Sequence, residues 1–301
     1  ALWTDADGDG WLDLLVAQEW GPLKLYRNEQ GRLVERTREA GLAEFSGWWN
    51  GLAAADFDGD GDLDYVATNF GLNTKYHASR ERPALLYYGD LDRSGKLNLV
   101  EAEFEQDKLF PVRGKSCSTE AMPSLAKKFP TFDAFAKSTL SEIYSPECLE
   151  RVNKLSATTL ESCVLVNDGQ GRFAVRPLPR LAQIAPAFGV VASDFDGDGR
   201  PDLALAQNFY TPQRETGRMD GGLGLVLRGL GDATFEPLWP RASGVLVTGD
   251  AKALTQADLN GDGRLDLLVS RNDAPVAAFE LGAPQRGRVI TVRLMGPVGN
   301  P

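Results

Sequence analysis

The sequence predicts an all-β protein made of repeated antiparallel sheets, and three observations lead to this fold class. Short apolar runs typical of buried strands, such as LLVA at 14–17 and YVAT at 65–68, directly follow copies of one Asp-rich phrase. Hairpins with alternating apolar residues and Gly at the turn occur at 23–37, 163–178 and 224–238. Strand, loop, strand and hairpin add up to a four-stranded unit of about 50 residues, the size of a propeller blade. We therefore predict a β-propeller of four-stranded antiparallel blades.

The Asp-rich phrase is nine residues long and occurs in five copies. The copies, which we number loops 1 to 5, begin at Asp5, Asp56, Asp90, Asp194 and Asp258. Oxygen-bearing side chains stand at positions 1, 3, 5 and 9, and Gly at position 6 permits the positive φ that a tight coil needs. Because Ca²⁺ takes about six to eight oxygen ligands, such a coil predicts a calcium site. A single Asp-Gly copy is also typical of a hairpin turn, but a turn does not require Asp at four positions.

The residues around each loop distinguish two classes of calcium-binding loop. A helix-flanked loop would continue into an amphipathic helix with apolar residues at a spacing of about 3.6. Loops 1, 2, 4 and 5 instead run into short apolar segments, and segments such as GLAAA and GVVAS precede loops 2 and 4. Each loop is therefore predicted to connect two strands at the edge of a blade.

Residues 113–162 differ in composition and predict a small α-helical insert. Apolar residues at helical spacing run from Phe132 to Ile143 behind Thr131, a candidate N-cap. A second helix is expected at 147–155. The insert is either a cap that binds a partner or an addition that packs on the propeller.

The three cysteines, Cys117, Cys148 and Cys163, lie in or beside this insert. An odd number leaves at least one of them unpaired. A Cys117–Cys148 disulfide would staple the insert, and buried free thiols are the alternative. The spacing of Cys and His does not indicate a zinc site.

Charge and hydropathy exclude two classes of partner. The 301 residues carry a formal net charge of −10, which argues against nucleic acid. The Asp-rich loops explain most of this excess, and divalent cations would offset it. The sequence has no apolar run of roughly 18–20 residues, so membrane insertion is not expected. Only four residues precede loop 1, so we expect a truncated N-terminal blade, and the lack of a signal peptide says nothing about compartment.

Beyond the loops, long stretches resemble the FG-GAP or VCBS repeats of integrin-α-like β-propellers. The resemblance is carried by residues 48–76, 122–143, 178–210 and 215–227. It is closer to bacterial secreted proteins whose propeller precedes an ASPIC/UnbV domain, a family that includes the cartilage acidic protein, and this implies a fragment of a bacterial protein. Residues 290–301 resemble the opening of an ASPIC/UnbV segment. Residues 1–289 are then a propeller of about five blades with the helical insert near 113–162.

The resemblance implies calcium ligands at the matching positions of each loop. Loops 1, 2 and 4 match throughout, with Asp5, Asp7, Asp9 and Asp13; Asp56, Asp58, Asp60 and Asp64; and Asp194, Asp196, Asp198 and Asp202. Loop 5 offers Asp258, Asn260, Asp262 and Asp266. Loop 3 departs from the pattern and offers Asp90, Asp92, Ser94 and Asn98, with Glu101 where a helix-flanked loop has its bidentate Glu. We therefore expect four to five bound Ca²⁺ ions from these loops.

The predicted function is a calcium-binding, non-catalytic adhesion or recognition module that is secreted or displayed outside the cell. Its expected partner is an extracellular protein or glycan. The single histidine, His77, has no evident catalytic neighbour in the sequence. One alternative is a carbohydrate-active propeller enzyme, a glycosidase or lyase. Trp48 and Trp49 are candidates for stacking on a sugar ring or a peptide, and at least one of them is expected in the core because adjacent strand residues point to opposite faces. The other alternative is a purely structural spacer of calcium repeats.

Overall fold

The structure is a computed structural model that describes residues 1–213, 215–262 and 264–280, and these residues form a mostly β protein. Its strands are β1 (Leu2–Thr4), β2 (Asp13–Val16), β3 (Glu19–Pro22), β4 (Lys24–Glu29), β5 (Arg32–Glu35), β6 (Ser46–Trp48), β7 (Leu52–Ala55), β8 (Asp64–Ala67), β9 (Ala84–Gly89), β10 (Asn98–Glu105), β11 (Lys108–Pro111), β12 (Asn153–Ala157), β13 (Cys163–Asn167), β14 (Phe173–Pro177), β15 (Ala187–Ser193), β16 (Asp202–Gln207), β17 (Leu225–Gly229), β18 (Phe235–Leu238), β19 (Asp250–Ala257), β20 (Asp266–Asn272) and β21 (Ala274–Phe279). Its helices are α1 (Lys115–Ala121), α2 (Ser124–Lys128), α3 (Phe132–Ala136), α4 (Leu140–Tyr144), α5 (Pro146–Arg151) and α6 (Pro240–Ser243), with a 3₁₀ helix at Arg180–Gln183. Within the described ranges, none of the helices has the length and apolar character to cross a membrane. The predicted ASPIC/UnbV segment at 290–301 lies outside the described residues.

Four antiparallel sheets follow one another along the chain, and each carries an Asp-rich loop between its first two strands. Sheet I is β1-β2-β4-β5, sheet II is β7-β8-β13-β14, sheet III is β15-β16-β17-β18 and sheet IV is β19-β20-β21. They hold loops 1, 2, 4 and 5, respectively. The predicted hairpins are β4–β5, β13–β14 and β17–β18. The prediction of a mostly β fold with four-stranded antiparallel sheets is confirmed.

These sheets stack face to face in chain order, and a separate hydrophobic core fills each interface. Strands β8 and β16 are buried along their whole length because a neighbouring sheet covers each face. The cores include Leu15, Leu25, Tyr65 and Leu165 between sheets I and II; Val66, Val164, Leu203 and Leu227 between II and III; and Ala204, Val226, Leu267 and Val269 between III and IV. Among the described residues, no core cluster joins sheet I to sheet IV.

The first strands of sheets II, III and IV lie side by side with very little space between their backbones. A Cβ atom at Gly51, just before β7, would come within 2.4 Å of the Phe188 carbonyl oxygen in β15. A Cβ atom at Gly189 would come within 2.7 Å of the Leu254 nitrogen in β19. A side chain at either position would force the strands apart, so these sheets converge at their first strands.

The segment between β8 and β13 forms a unit with its own sheet and helices, which we call the insert. Its sheet has the order β12-β9-β10-β11, with loop 3 between β9 and β10. Helices pack on this sheet through a core that includes Tyr87, Val100, Met122, Leu140 and Ile143. Loop 3 therefore belongs to the insert and not to the stack of four sheets, and the inserted segment begins well before the helices.

The helices of the insert start where the sequence predicts but are shorter. The side chain of Thr131 accepts a hydrogen bond from the backbone N–H three residues on at 3.1 Å, so the predicted N-cap of α3 is confirmed. The prediction of one helix up to Ile143 is wrong, because Thr139 and Glu142 form a capping box that starts α4. The second predicted helix stops early because the chain enters β12.

The three cysteines are free, so the disulfide alternative is not formed. Cys148 in α5 donates through Sγ to the carbonyl oxygen of Leu91 at 2.5 Å. Arg151, at the end of the same helix, donates to the carbonyl oxygen of Asp90 at 2.7 Å. These two bonds fasten α5 to the backbone of loop 3.

A buried asparagine, Asn167, joins the loop-bearing ends of sheets I and II. Its Nδ2 donates to the carbonyl oxygens of Ala6 in loop 1 at 2.9 Å and of Leu63 in loop 2 at 3.1 Å. Its Oδ1 accepts a hydrogen bond from the N–H of Gly171 at 3.2 Å. One side chain thus holds two loops and a hairpin turn in register.

We expect Asn167→Ala to lower the free energy of unfolding by about 1–3 kcal/mol, because buried backbone groups would lose their partners. Urea unfolding in calcium buffer, followed by tryptophan fluorescence, measures this change. The matched control is Gln170→Ala, which removes an exposed side chain from the same turn and should change stability by less than about 0.5 kcal/mol. Equal effects of the two substitutions would contradict the role of Asn167.

Candidate metal centre

Each Asp-rich loop coils around the carboxylate of its first residue. In loop 2, Asp56 accepts hydrogen bonds from the N–H groups of Gly59 at 2.7 Å and Gly61 at 3.0 Å. Both glycines have a positive φ, 80° and 97°, which residues with a side chain adopt only at a cost. The bond from position 6 recurs in loops 1, 3 and 4 at 2.9, 3.0 and 2.9 Å. The glycine spacing therefore produces one shared loop conformation.

This coil brings the carboxylates of positions 1, 3 and 9 together in three loops. The groups are Asp5, Asp7 and Asp13; Asp56, Asp58 and Asp64; and Asp194, Asp196 and Asp202. Within each group, one oxygen from every residue lies within 4.8 Å of the other two. One cation can contact all three oxygens at this separation, because Ca–O distances are about 2.3–2.6 Å. Loops 1, 2 and 4 could therefore hold a metal ion.

The position-9 aspartate is buried and joins the loop to the third strand of its sheet. In loop 2, Asp64 accepts hydrogen bonds from the N–H groups of Phe57 at 3.0 Å and Asn167 at 2.8 Å. Asp13 accepts the equivalent two hydrogen bonds, at 3.1 Å from the N–H of position 2 and at 2.8 Å from an N–H of the third strand. For Asp202 the same two distances are 2.9 Å and 2.8 Å. Burial raises the pKa of Asp13, and raises the pKa of Asp64 and of Asp202 to about 6. A cation at the group would favour the ionised form.

The position-5 aspartates of these loops lie outside the groups of three formed by the described residues. Asp9, Asp60 and Asp198 each accept a hydrogen bond from the N–H of position 7, at 2.8, 2.9 and 2.9 Å. This bond holds the second half of the coil. Their role as calcium ligands stays a prediction.

Loop 1 differs from loops 2 and 4 because an arginine contacts one of its carboxylates. Arg27 Nη1 lies 3.0 Å from Asp7 Oδ2. Asp7 Oδ1 is buried and has no hydrogen-bond partner among the described residues. A buried carboxylate oxygen without a partner is costly, so the atom fits a cation ligand. The nearby guanidinium would weaken cation binding in loop 1 relative to loop 2 through charge repulsion.

Loop 3 keeps the coil but lacks the acidic group. Asp92 accepts hydrogen bonds from the N–H of Ser94 at 3.2 Å and from Asn98 Nδ2 at 3.4 Å. Asp90 Oδ1 is buried and, within the described part of the chain, has no partner. Glu101 lies in a different site, because residues 98 and 101 point to opposite faces of β10. Because loop 3 is followed by a strand and not by a helix, Glu101 does not occupy the ligand position that it would have in a helix-flanked loop.

Loop 5 repeats the backbone pattern of the other loops. Asp258 and the Asn260 Oδ1 accept backbone hydrogen bonds at 2.8 and 2.9 Å, and Asp266 accepts one from position 2 at 3.0 Å. Asp262 forms an ion pair with Arg264. The predicted ligand at position 3 is an amide, so this loop gathers less negative charge than loops 2 and 4.

These features define a class of protein in which antiparallel sheets follow in series and each carries an Asp-rich loop after its first strand. Residues 5–67, from loop 1 through β8, match the family model of the FG-GAP-like repeat. A search of curated proteins gives no match. Among solved structures, the chain is similar to the V. cholerae biofilm matrix protein Bap1, with 12% identity and a TM-score of 0.30. The comparison covers 94% of this chain and 62% of that one, less than two thirds of its length.

A second concave site, which we call the aromatic pocket, lies away from the Asp-rich loops. Its aromatic residues are Trp20, Trp48, Phe70, Tyr76 and Phe209, and Glu101 also lines it. Trp48 is predicted from the sequence as a ligand residue, whereas the other rings of the pocket are not. Trp49, the second candidate, is part of the core between sheets I and II. The pocket residues come from separate parts of the chain, so no local pattern could have grouped them.

Calcium binding should depend on pH through the buried position-9 aspartates. Without the ion, their raised pKa means that the folded chain binds more protons than the unfolded chain between about pH 4 and pH 6, so these groups lower stability as pH rises through that range. Calcium requires the ionised form, so its affinity should fall about tenfold from pH 7.5 to roughly pH 5. Calorimetric titration at both pH values tests this, with the calcium-free melting temperature at each pH as control. An equal affinity at both pH values would contradict the assignment.

Proposed function

We propose that the chain is a calcium-stabilised β-propeller module that acts outside the cell in adhesion or recognition, without catalysis. The observation that carries the proposal is that three loops, at equivalent places in sheets I, II and III, each assemble three carboxylates. The FG-GAP-like repeat at 5–67 supports the same assignment. The relationship to ASPIC/UnbV proteins and the bacterial origin belong to the proposal and rest on the sequence resemblance.

The packing of the sheets supports the propeller part of the proposal. In a propeller, four-stranded antiparallel sheets stand around a central channel. Sheets I to IV pack face to face in chain order, and the first strands of sheets II to IV converge at Gly51 and Gly189. Packing of this kind, continued around an axis, produces a ring of blades.

The position-9 aspartates support a structural role for the ion. Each one is hydrogen bonded to its own loop and to the third strand of its sheet, as Asp64 is to Phe57 and Asn167. An ion that neutralises this carboxylate stabilises the folded sheet, because the unfolded chain has no such site. Extracellular calcium modules have a Kd of about 10⁻⁴–10⁻³ M and are loaded where calcium is millimolar. Sites of this affinity would be loaded outside the cell, which fits the proposed location.

The chemistry of the remaining side chains supports recognition over catalysis. The His77 side chain is 83% exposed and its Nδ1 lies 3.8 Å from the largely buried Glu103, so the imidazole sits at the surface in a long ion-pair contact and not inside a cleft. The net charge of −10 disfavours nucleic acid and leaves an extracellular protein or glycan as the proposed partner.

Calorimetric titration with calcium and melting with and without EDTA test the proposal. We expect at least three bound ions, one for each group of carboxylates, and a melting temperature higher by roughly 5–10 °C in millimolar calcium. Magnesium at the same concentration is the control, since it prefers a smaller octahedral site. Binding of one ion or none, together with an unchanged melting temperature, would refute the calcium part of the proposal.

A pair of substitutions in loop 2 separates ligand loss from charge loss. We expect Asp58→Ala to remove one ion from the stoichiometry and to reduce the calcium-induced rise in melting temperature, because Asp58 belongs to the carboxylate group. Asp62→Ala removes the same charge from a partly exposed position of the same loop that lies outside the carboxylate group, and should keep the full stoichiometry. Calcium titration of both variants is the measurement. Loss of an ion in both would show that general charge, not the group of three, governs binding.

A further inference from the structure

The aromatic pocket has the size and composition of a ligand site. Its volume is about 390 Å³, within the range of roughly 300–1,000 Å³ that small-molecule sites occupy. Five of its twelve lining residues are aromatic, and polar side chains converge on it beside these rings. The rings come from β3, β6, the segment after β8 and the segment after β16, whereas the insert sheet contributes Glu101.

The rings form a connected aromatic surface centred on Trp48. The rings of Trp20, Phe70 and Tyr76 stand edge-on to Trp48, with centroids 4.8, 4.7 and 4.8 Å away. Phe209 extends this surface from Phe70 at 6.2 Å. Trp20, Phe70 and Phe209 are only partly buried, so their faces remain available to a ligand. The Trp48 indole N–H is buried and has no hydrogen-bond partner among the described residues.

Trp20 is held in an unusual backbone conformation. Its φ is 57°, in the left-handed region that bulky residues rarely adopt, and it lies at a register shift where β3 pairs with β6. Such a conformation is unfavourable for a residue with a side chain and persists only where the surroundings fix it. Positions of this kind cluster at ligand sites, and here the conformation carries an indole that lines the pocket.

Two charged groups of the pocket, Glu101 and Arg113, are paired, so their charges cancel. Glu101 and Arg113 form an ion pair at 3.2 Å, and the Tyr76 hydroxyl donates to Glu101 at 3.3 Å. Arg113 also donates to Gln213, whose Nε2 donates to Thr216 Oγ1 at 2.6 Å. This network places donors and acceptors beside the rings without a net charge. Glu19 at the rim is exposed and solvated.

We propose that the aromatic pocket binds a neutral glycan. A pyranose ring has apolar C–H faces, which fit the partly exposed rings, and a rim of hydroxyl groups, which fit the hydrogen-bonding network of Glu101, Arg113 and Gln213. A charged ligand would disturb the pair of Glu101 and Arg113 and leave one charge without a partner in a partly desolvated site. This inference rests on the recognition function proposed above and names its ligand class and its site.

The pocket lies at the opposite end of sheets I to III from loops 1, 2 and 4, whereas Glu101 of the pocket stands only three residues after Asn98 of loop 3. Phe70 stands six residues after Asp64, which is roughly 20 Å along an extended strand. Calcium would therefore support the pocket through the sheets without contacting the glycan. Glycan binding and calcium binding can consequently be measured as separate events on one sample.

The test measures binding of cellohexaose, maltohexaose and laminarihexaose to the calcium-loaded chain by calorimetry and tryptophan fluorescence. We expect at least one of them to bind and to change the emission of the pocket tryptophans. Trp20→Gly keeps the left-handed backbone but removes the ring, and should weaken binding at least about tenfold. Trp11→Ala removes a half-exposed ring from loop 1 at the other end of sheet I and should leave the affinity unchanged.

A second variant tests the charge argument independently of Trp20. Glu101→Gln keeps the shape of the side chain but leaves the Arg113 charge unpaired. It should weaken binding of the neutral hexasaccharide and strengthen binding of hexagalacturonate, an acidic oligosaccharide of the same length. Calcium-dependent melting of each variant, within a few degrees of the parent chain, confirms that the variant is folded.

The proposal is overturned if none of the three neutral hexasaccharides binds, or if Trp20→Gly and Trp11→Ala weaken binding equally. Tryptophan-dependent binding of hexagalacturonate or of a proline-rich peptide in place of neutral sugars would also overturn it, because the ligand class would differ. Calcium binding without sugar binding refutes this inference and leaves the calcium part of the proposed function intact. Sugar binding without calcium binding refutes the calcium part of the proposed function and leaves this inference intact. Release of new reducing ends from the bound sugar would replace recognition with catalysis.

Discussion

The buried carboxylate at position 9 of the Asp-rich loops is the interaction on which the rest of the structure depends. Asp13, Asp64 and Asp202 each use both oxygens to accept backbone N–H groups, one from the loop and one from the third strand. Two such bonds do not fully offset the burial of a charge, and the pKa of Asp64 and of Asp202 is accordingly raised to about 6. A cation at the carboxylate group would supply the missing compensation. The hydrogen bonds that fix the loop to the sheet therefore also create the site proposed for the ion.

Loops 1, 2 and 3 each also accept a hydrogen bond from the structural element that packs next to them, so neighbouring units stabilise one another. The carbonyl oxygen at position 2 accepts a hydrogen bond from Asn167 in loop 1, and from the N–H of Ala233 at 2.9 Å in loop 2. In loop 3 the same carbonyl accepts from Cys148 of the insert. A hairpin of the next sheet and a helix of the insert thus perform the same task. Stability in such an arrangement accumulates through contacts between nearest neighbours.

The sequence predicts those parts of the fold that depend on local chemistry. Gly59 and Gly61 permit the coil, and alternating apolar residues after the loops and around the Gly turns mark strands and hairpins. The sequence does not predict pairing between strands that lie far apart along the chain. Val66 in β8 pairs with Val164 in β13, although a whole sheet and five helices lie between these two strands in the sequence. The position of Glu101 was predicted from a helix-flanked loop, whereas the period of two in β10 turns its side chain into the aromatic pocket.

The insert explains how a repeated structural unit acquires a site that the repeat itself does not contain. A long insertion between β8 and β13 adds only a slowly growing entropy cost, because loop closure depends on the logarithm of length. The joining ends lie opposite loop 2, since β8 begins at Asp64. An insertion at these ends therefore leaves the coil around Asp56 and Asp58 undisturbed while it brings Glu101 and Arg113 against Trp48. The end that carries the carboxylate groups can remain under the constraint of folding, and the opposite end, which carries the aromatic pocket, is free to vary.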